Sequence, residues 1–365
     1  MRYPKTFLWN NKAYKKFYII RNVDIHSGFC AIMVYVLNGI KRAEAQNAIP
    51  VIHFDKYNTP DFYDSCCGES IWEYFFEAIS PYSIDDIQRF KEEKILTTSD
   101  IYLPSSKEVI WGHHHDKQRL ATFWAYSTPI DKENWMKEKR RLGRKYINKY
   151  IRLKPQITEK ASSYINTHFK DSFIIGVHVR GTDFAYARPT NLANYFEEID
   201  RIILENSNKV CRVYLATDQE QYLTLFKSRY FENLLYIDAI RSNNHIAPFR
   251  IDNDTSYKKG EDVLLDIIML SKCNHVIKGA AAVGEMALWF NTGMGITDFS
   301  LQSEFYQNPY HKLETAYSSL NIGKKSSLTL AIHKLKFKGV RRITVSIIGY
   351  MLFKNFKFIR KLLRH

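Results

Sequence analysis

The residues best suited to chemistry follow an apolar run. Residues 173–179 are mostly β-branched and aromatic and predict a buried strand, and Arg180, Gly181, Thr182 and Asp183 come directly after it. Open α/β sheets bind ligands at the carboxyl ends of their strands, and a guanidinium suits bidentate contact with phosphate. Arg180 is therefore a candidate phosphate ligand, and a surface ion pair with Asp183 is the alternative.

Two more predicted strands end in small or polar residues. Residues 211–215 predict a strand that is followed by Ala216, Thr217 and Asp218. Residues 275–278 predict another strand, and the small residues 279–284 after it open a helix. Small residues at a helix start leave backbone N–H groups available to an anion. The ends of parallel strands meet at one edge, so the sequence predicts a nucleotide-diphosphate site that also includes Arg180.

The elements that position these residues alternate between strands and helices. Residues 17–54 predict a strand, a turn containing Gly28, a helix and a second strand, the start of a doubly wound layer. Gly28 allows close approach of a ligand, or serves the turn geometry alone. A chain of 365 residues exceeds the usual size of one core. We therefore predict an α/β protein with domains at 1–160 and 161–320 and a tail at 321–365.

Residues 57–80 are rich in aromatic and acidic side chains. Trp72 and Glu73 predict one wall of a carbohydrate acceptor site, because rings stack on sugar faces; core packing with surface acids is the alternative. His114 lies within three consecutive histidines, whose side chains do not point to one centre in a strand or helix. We predict that His114 contacts the acceptor or lies on the surface, and we predict no metal site.

The net charge of +15 is concentrated near the carboxyl terminus. Residues 324–365 contain twelve Lys or Arg and no acid, which leaves +3 for residues 1–323. The tail alternates cations with apolar residues, a pattern typical of a helix that lies on an anionic membrane surface. A solvated or domain-packing tail is the alternative, and nucleic-acid binding is disfavoured because basic and aromatic residues do not interleave elsewhere.

The sequence also indicates a compartment. Five scattered cysteines fit a reducing cytoplasm, the first residues show no signal peptide, and no apolar run approaches the ~20 residues that span a bilayer. We therefore expect a cytoplasmic protein, peripheral on the inner face of the cell membrane.

The motifs at the strand ends resemble those of the GDP-fucose-dependent fucosyltransferases, including the α-1,6 type, the rhizobial nodulation enzymes and the α-1,2 and protein O-fucosyltransferases. The resemblance covers roughly residues 170–290 and lies in Val177–Arg180 with Thr182–Asp183, in Leu215–Asp218 and in Asp266–Ala287. It implies a GT-B fold, with two Rossmann-like domains facing a central cleft. It also implies an inverting, metal-independent transfer from a GDP-sugar, with no other cofactor.

The resemblance also implies roles for individual residues. Arg180 would hold the β-phosphate, His178 and Asp218 would lie near the guanine, and Asp183 would order the loop or the donor sugar. The predicted donor-binding residues are His178, Arg180, Thr217, Asp218, Asp266, Ala281, Ala282 and Gly28.

This chain departs from the family pattern at several positions. Gly181 stands where the family has a second arginine, Arg188 replaces a downstream acid, and Ala281 and Ala282 replace serines. The phosphate contact would then depend on Arg180, Arg188 and backbone amides.

An inverting transfer also needs a base for the acceptor hydroxyl. Glu285, Asp24 and Glu73 are candidates, and we name Arg180, Asp183 and Glu285 as the catalytic set. The predicted function is transfer of a sugar to a glycan or lipid-linked oligosaccharide in surface polysaccharide synthesis, and fucose is the first candidate for the sugar. The alternatives are the same fold with another nucleotide sugar, and a non-catalytic carbohydrate-binding protein.

Overall fold

Two parallel sheets and their flanking helices form most of the described part of the chain, as the alternation of elements predicts. The computed structural model describes residues 6–25, 27–105, 108–109, 119–124, 129–182, 187–244, 246–251 and 256–304. The described residues fall within one compact unit, Met1–Tyr306. The predicted tail, 321–365, lies outside the described residues.

The first sheet confirms the predicted β–turn–α–β unit. Its strands run in the order β4-β3-β5, and all pairs are parallel. A short antiparallel hairpin, which the sequence analysis did not predict, precedes this sheet. The elements are β1 (Phe7–Trp9), β2 (Lys12–Tyr14), β3 (Phe17–Arg21), α1 (Phe29–Ala45), β4 (Ile49–His53), α2 (Ile84–Glu92) and β5 (Ile101–Tyr102).

Two helices connect the sheets, α3 (Lys132–Tyr150) and α4 (Pro155–His168). Asp131 caps α3 by accepting a 2.9 Å hydrogen bond from the backbone N–H of Asn134. Pro155 begins α4, where its missing N–H costs no helical hydrogen bond.

The second sheet has five parallel strands in the order β10-β9-β6-β7-β8. The predicted strands at 173–179, 211–215 and 275–278 and the helices between them are confirmed within a few residues. The elements are β6 (Phe173–Val179), α5 (Leu192–Glu205), β7 (Cys211–Thr217), α6 (Glu220–Tyr230), β8 (Leu234–Leu235), α7 (Ser256–Leu270), β9 (His275–Lys278), α8 (Ala282–Phe290) and β10 (Gly295–Asp298).

One hydrophobic cluster contains residues of both sheets and extends in sequence from Phe7 to Met294. Helix α3 packs against α8 so closely that a Cβ on Gly143 would lie 2.2 Å from Cδ2 of the buried Trp289. The division into domains at residue 160 stays a prediction, and this cluster crosses that position.

All five cysteines are free thiols. Within the described ranges, no helix has the length and apolar character required to cross a membrane.

Candidate functional site

The candidate site lies where the strand order of the five-stranded sheet reverses. From β6 the chain proceeds to β7 and β8 on one side, and then returns to place β9 and β10 on the other. Helix α5 follows β6 onto one face of the sheet, whereas α8 follows β9 onto the opposite face. The connections diverge between β6 and β9, and such a switch point opens a crevice at the carboxyl edge. The prediction that the ends of β6, β7 and β9 lie side by side is confirmed.

Arg180 lies half-buried at the end of β6, beside the start of α1. Its Nε donates a 3.0 Å hydrogen bond to the carbonyl of Thr182, which orients the guanidinium. Burial raises the pKa of the Cys30 thiol to about 12, and the nearby positive charge of Arg180 opposes this rise. Arg180, at the end of a strand of the second sheet, therefore lies near α1, the first helix of the chain.

Asp218 holds the loop that carries Arg180. Its carboxylate accepts hydrogen bonds from the backbone N–H of Gly181 at 2.6 Å, from that of Thr182 at 3.3 Å and from the Thr182 hydroxyl at 2.5 Å. Thr217 is buried beneath it, and its Oγ1 accepts a 3.3 Å hydrogen bond from the N–H of Gln219. Both residues thus order the strand edge, a role that sequence reasoning did not assign to them.

Gly181 is required by close packing. A Cβ at this position would lie 2.4 Å from Cδ and Oε1 of Gln219, whose amide nitrogen donates to the carbonyl of Asn244 at 2.8 Å. The space beside residue 181 is therefore occupied by Gln219. This packing accounts for the glycine at position 181.

The start of α8 faces the same crevice. Ala281 is the N-cap residue and supplies no side-chain cap, and Ala282 begins the helix. The N–H of Ala281 donates to the carbonyl of Gly279 at 2.9 Å, which folds the connection from β9 into a tight turn. A helix start without a side-chain cap presents backbone N–H groups and the positive end of the helix dipole to an anion.

His178 lies buried between β6 and the first turn of α8. Burial, together with the nearby charges of Arg180 and Lys278, lowers its pKa to about 3. Its Nδ1 is buried without a hydrogen-bond partner, and a Cβ on Gly284 would lie 3.2 Å from that nitrogen. The imidazole is therefore neutral near pH 7 and is confined by the helix above it.

A buried ion network lies below the crevice and includes Glu285. Lys278 Nζ lies 3.1 Å from Glu285 Oε2 and 2.8 Å from Asp298 Oδ1. Arg140 of α3 donates to both oxygens of Glu285, from Nε at 2.9 Å and from Nη2 at 2.8 Å, and also pairs with Asp298.

Glu285 is fully buried, and Trp289 Nε1 also donates to it at 3.2 Å. Both of its oxygens are occupied by cations and by this indole, so the structure does not support the predicted role of Glu285 as a catalytic base.

Asp266 lies in the core and not at the strand edge. Its carboxyl accepts a 2.7 Å hydrogen bond from the hydroxyl of Tyr214, and burial raises its pKa to about 7. Tyr214 lies three residues before Thr217 on β7, which corresponds to about 10 Å along a strand. The predicted contribution of Asp266 to the phosphate pocket is therefore not supported by its position.

Gly28 caps α1 and touches the connection that follows β8. Its φ of −70° is ordinary, and a Cβ there would lie 3.3 Å from the ring of Phe249. Gly28 therefore serves close packing at the edge of the crevice.

Trp72 and Glu73 border a separate cavity of about 270 Å³ at the carboxyl end of β4. Trp72 is buried and stacks on Phe76 at 4.1 Å, whereas Glu73 is exposed. His53 and Asp55 line the same cavity, and sequence reasoning missed them. The signal that would have found them is a His-x-Asp triplet at the end of a predicted strand.

Some predicted residues are not placed. Asp183 and His114 lie outside the described residues. Arg188 borders a different cavity of about 560 Å³, next to the start of α5. Across the described part of the chain, no group of three or more His, Cys, Asp or Glu is arranged to hold a metal ion.

Comparison with known proteins identifies distant structural likenesses. No family model matches the sequence, and no curated protein matches it. The structure is similar to that of the NodZ α-1,6-fucosyltransferase co-crystallised with GDP, with 18% identity, 81% of this chain and 99% of that chain covered, and a TM-score of 0.46.

Two further structures were compared. The structure of POFUT1 in complex with GDP is 11% identical in sequence and has a TM-score of 0.47, with 78% of this chain and 99% of that chain covered. The structure of an Arabidopsis thaliana FUT1 mutant in complex with GDP is also 11% identical and has a TM-score of 0.43, with 83% of this chain and 73% of that chain covered. All three TM-scores lie below 0.5.

Proposed function

We propose that this protein is an inverting glycosyltransferase that moves a sugar from a GDP-sugar to a hydroxyl of a glycan or lipid-linked oligosaccharide. Fucose is the first candidate for this sugar. The observation that carries the proposal is the placement of Arg180 and the uncapped start of α8 after the carboxyl ends of the neighbouring strands β6 and β9, at the switch point of a parallel sheet. The motif resemblance of residues 170–290 supports GDP as the carrier and the GT-B arrangement.

The proposed chemistry follows from charge. The acceptor oxygen attacks the anomeric carbon while the bond from that carbon to the diphosphate breaks on the opposite side. The leaving diphosphate gains negative charge, and preorganised donors that neutralise this charge lower the barrier. Arg180 and the N–H groups of α8 would supply this neutralisation, so we propose that the reaction needs no metal ion. Asp218 acts indirectly, because it holds the loop on which Arg180 lies.

The test is calorimetric binding of GDP, UDP, CMP and GMP to the protein and to Arg180→Ala. We expect selective GDP binding that weakens about 10- to 100-fold in Arg180→Ala, the loss typical of charge-assisted hydrogen bonds. The control is Arg201→Ala, which removes a surface arginine paired with Glu198 and Glu205 on α5.

Three outcomes distinguish the candidates. No binding of any nucleoside diphosphate, or equal losses in both variants, would contradict the proposal. Preference for UDP would favour the same fold with another nucleotide sugar. Because Glu285 is fully paired, GDP binding without turnover would favour a non-catalytic carbohydrate-binding protein.

A further inference from the structure

The cavity at the end of β4 has the lining of a sugar site. Rings of Tyr57, Trp72 and Tyr82 border it, and Tyr57 is 78% exposed. Polar side chains complete the wall, among them Glu69 and Glu73. A concave site with aromatic walls and a few convergent polar groups suits a small ring with hydroxyls.

His53 and Asp55 form a fixed pair in this cavity. Asp55 Oδ1 accepts 2.9 Å hydrogen bonds from the backbone N–H groups of Tyr57 and Asn58, so the carboxylate is held in place. Its Oδ2 lies 3.1 Å from His53 Nε2. A carboxylate at one ring nitrogen places the proton there and leaves the other nitrogen as the basic one. Nδ1 of His53 is thereby assigned as the acceptor of a proton.

We propose that His53, oriented by Asp55, is the general base of the transfer and that the acceptor sugar binds in this cavity. This inference rests on the proposed function. As the acceptor oxygen bonds to the anomeric carbon, its O–H bond breaks and the proton moves to His53 Nδ1. The electron pair of the broken anomeric bond leaves with the diphosphate.

The segment that carries the pair is hydrogen-bonded to the turn before α1, and the far end of that turn borders the donor crevice. The Asn58 amide donates to the carbonyl of His53 at 3.1 Å, and the Asn22 amide donates to the carbonyl of Asn58 at 2.9 Å. Asn22 begins the turn that leads to Gly28 and α1. Farther along, the ring of Phe62 stacks on that of Phe249 at 6.0 Å, next to Gly28.

Charge indicates the class of acceptor. Four carboxylates line the cavity, from Asp55, Glu69, Glu73 and Asp85, and none of the described lining residues is Lys or Arg. An anionic sugar would meet repulsion there, because like charges in a partly enclosed site disfavour each other. The cavity therefore selects a neutral or amine-bearing sugar over a uronic acid.

The catalytic test compares His53→Gln, His53→Ala and Asp55→Asn with the control His168→Gln, at the end of α4. The reaction is turnover of GDP-fucose with N-acetylglucosamine, or with water, as the acceptor. We expect kcat to fall at least ~100-fold in both His53 variants, the usual contribution of a general base, and to fall less in Asp55→Asn.

Calorimetry with GDP separates the role of His53 as the general base from the proposed function of the protein. Unchanged GDP affinity with lost turnover in the His53 variants supports the base. Unchanged turnover in His53→Gln overturns it while leaving the proposed function intact, and loss of GDP binding in His53→Gln also overturns it. Absence of GDP binding in wild type contradicts the proposed function itself.

The acceptor cavity has its own measurement. Glucosamine, N-acetylglucosamine and glucuronate are added in turn while the ring signals of His53, assigned by comparison with His53→Gln, are followed by NMR. The first two sugars should shift these signals and glucuronate should not. No shift with any of the three, or a shift with glucuronate alone, would overturn the assignment of the cavity.

Discussion

Gly181 and Gln219 together determine the shape of the loop after β6. A side chain on residue 181 would require Gln219 to move, because Cδ of Gln219 lies 2.4 Å from the point where a Cβ would be. The same loop is bound from below by the carboxylate of Asp218. The orientation of Arg180 therefore depends on two neighbours that follow β7.

Gly181→Ala should lower the free energy of unfolding by about 1–3 kcal/mol, the usual cost of overpacking. Gln219→Ala in the same chain should recover part of this loss, because it removes the atoms that the new methyl group meets. Urea unfolding of the two single variants and the double variant measures the coupling. Gly293→Ala, whose Cβ would have only Asn291 Oδ1 at 3.5 Å, is the control. Additive losses in the double variant would contradict the clash.

Sequence reasoning found Arg180 at the residue scale because a strand end is a local pattern. It assigned Glu285 to catalysis for the same reason, since an acid in the first turn of a helix has no visible partner in the sequence. The partner is Arg140, 145 residues away, and such a pairing has no local signature. The His53–Asp55 pair was local and was overlooked.

At the scale of elements, α7 packs on the sheet through an unusual contact. Its Asp266 is buried against Tyr214 of β7, and burial raises the pKa of this carboxyl to about 7 from an ordinary value of 3.8. Between these two values the folded protein keeps a proton that the unfolded chain has lost. Rising pH therefore favours unfolding over this interval, and the effect ends above the folded pKa.

The free energy of unfolding should accordingly fall between about pH 4 and pH 7, by up to about 1.4 kcal/mol per pH unit from this group. Asp266→Asn keeps an acceptor for Tyr214 and carries no charge, so the difference between wild type and variant isolates Asp266. Urea unfolding at several pH values is the measurement. Asp200→Asn, on the exposed face of α5, should retain the wild-type profile. A constant difference across this range would contradict the raised pKa.

The elements were predictable where apolar periodicity was strong. Strands β6, β7 and β9 and the helices between them were predicted because each buried run is bounded by polar residues. The β1–β2 hairpin was missed, since each strand has only three residues and its turn uses Asn10 and Asn11 at positive φ. The positions of β8 and β10 at the two edges of the second sheet were not predictable either, because they depend on pairing across the whole sheet.

At the scale of the whole molecule, charge is divided between a nearly neutral body and a basic tail. We propose that residues 324–365 bring the protein to an anionic membrane surface, where a lipid-linked acceptor would be found. Basic residues near such a surface contribute about 1 kcal/mol each. Excess cations mixed with apolar residues support this proposal.

Vesicle co-sedimentation tests this proposal. Changing Lys354, Lys357 and Lys361 to Gln should weaken binding to phosphatidylserine vesicles by about 100-fold, from about 3 kcal/mol of lost attraction. High salt should have a similar effect on the unchanged chain. The matched control changes Lys12, Lys15 and Lys16 to Gln, the same loss of charge at the opposite end of the sequence. Equal losses in the two triple variants would contradict a specific role of the tail.

The contact of α3 with α8 can form only late in the synthesis of the chain. Arg140 is synthesised 145 residues before Glu285, and at a translation rate of ~5–20 residues per second this interval is roughly 7–30 s. During that time the groove at Gly143, which later receives Trp289, has no occupant, and the apolar surface around it is open to solvent. The contact between α3 and α8 is therefore among the last parts of the described fold to form during synthesis.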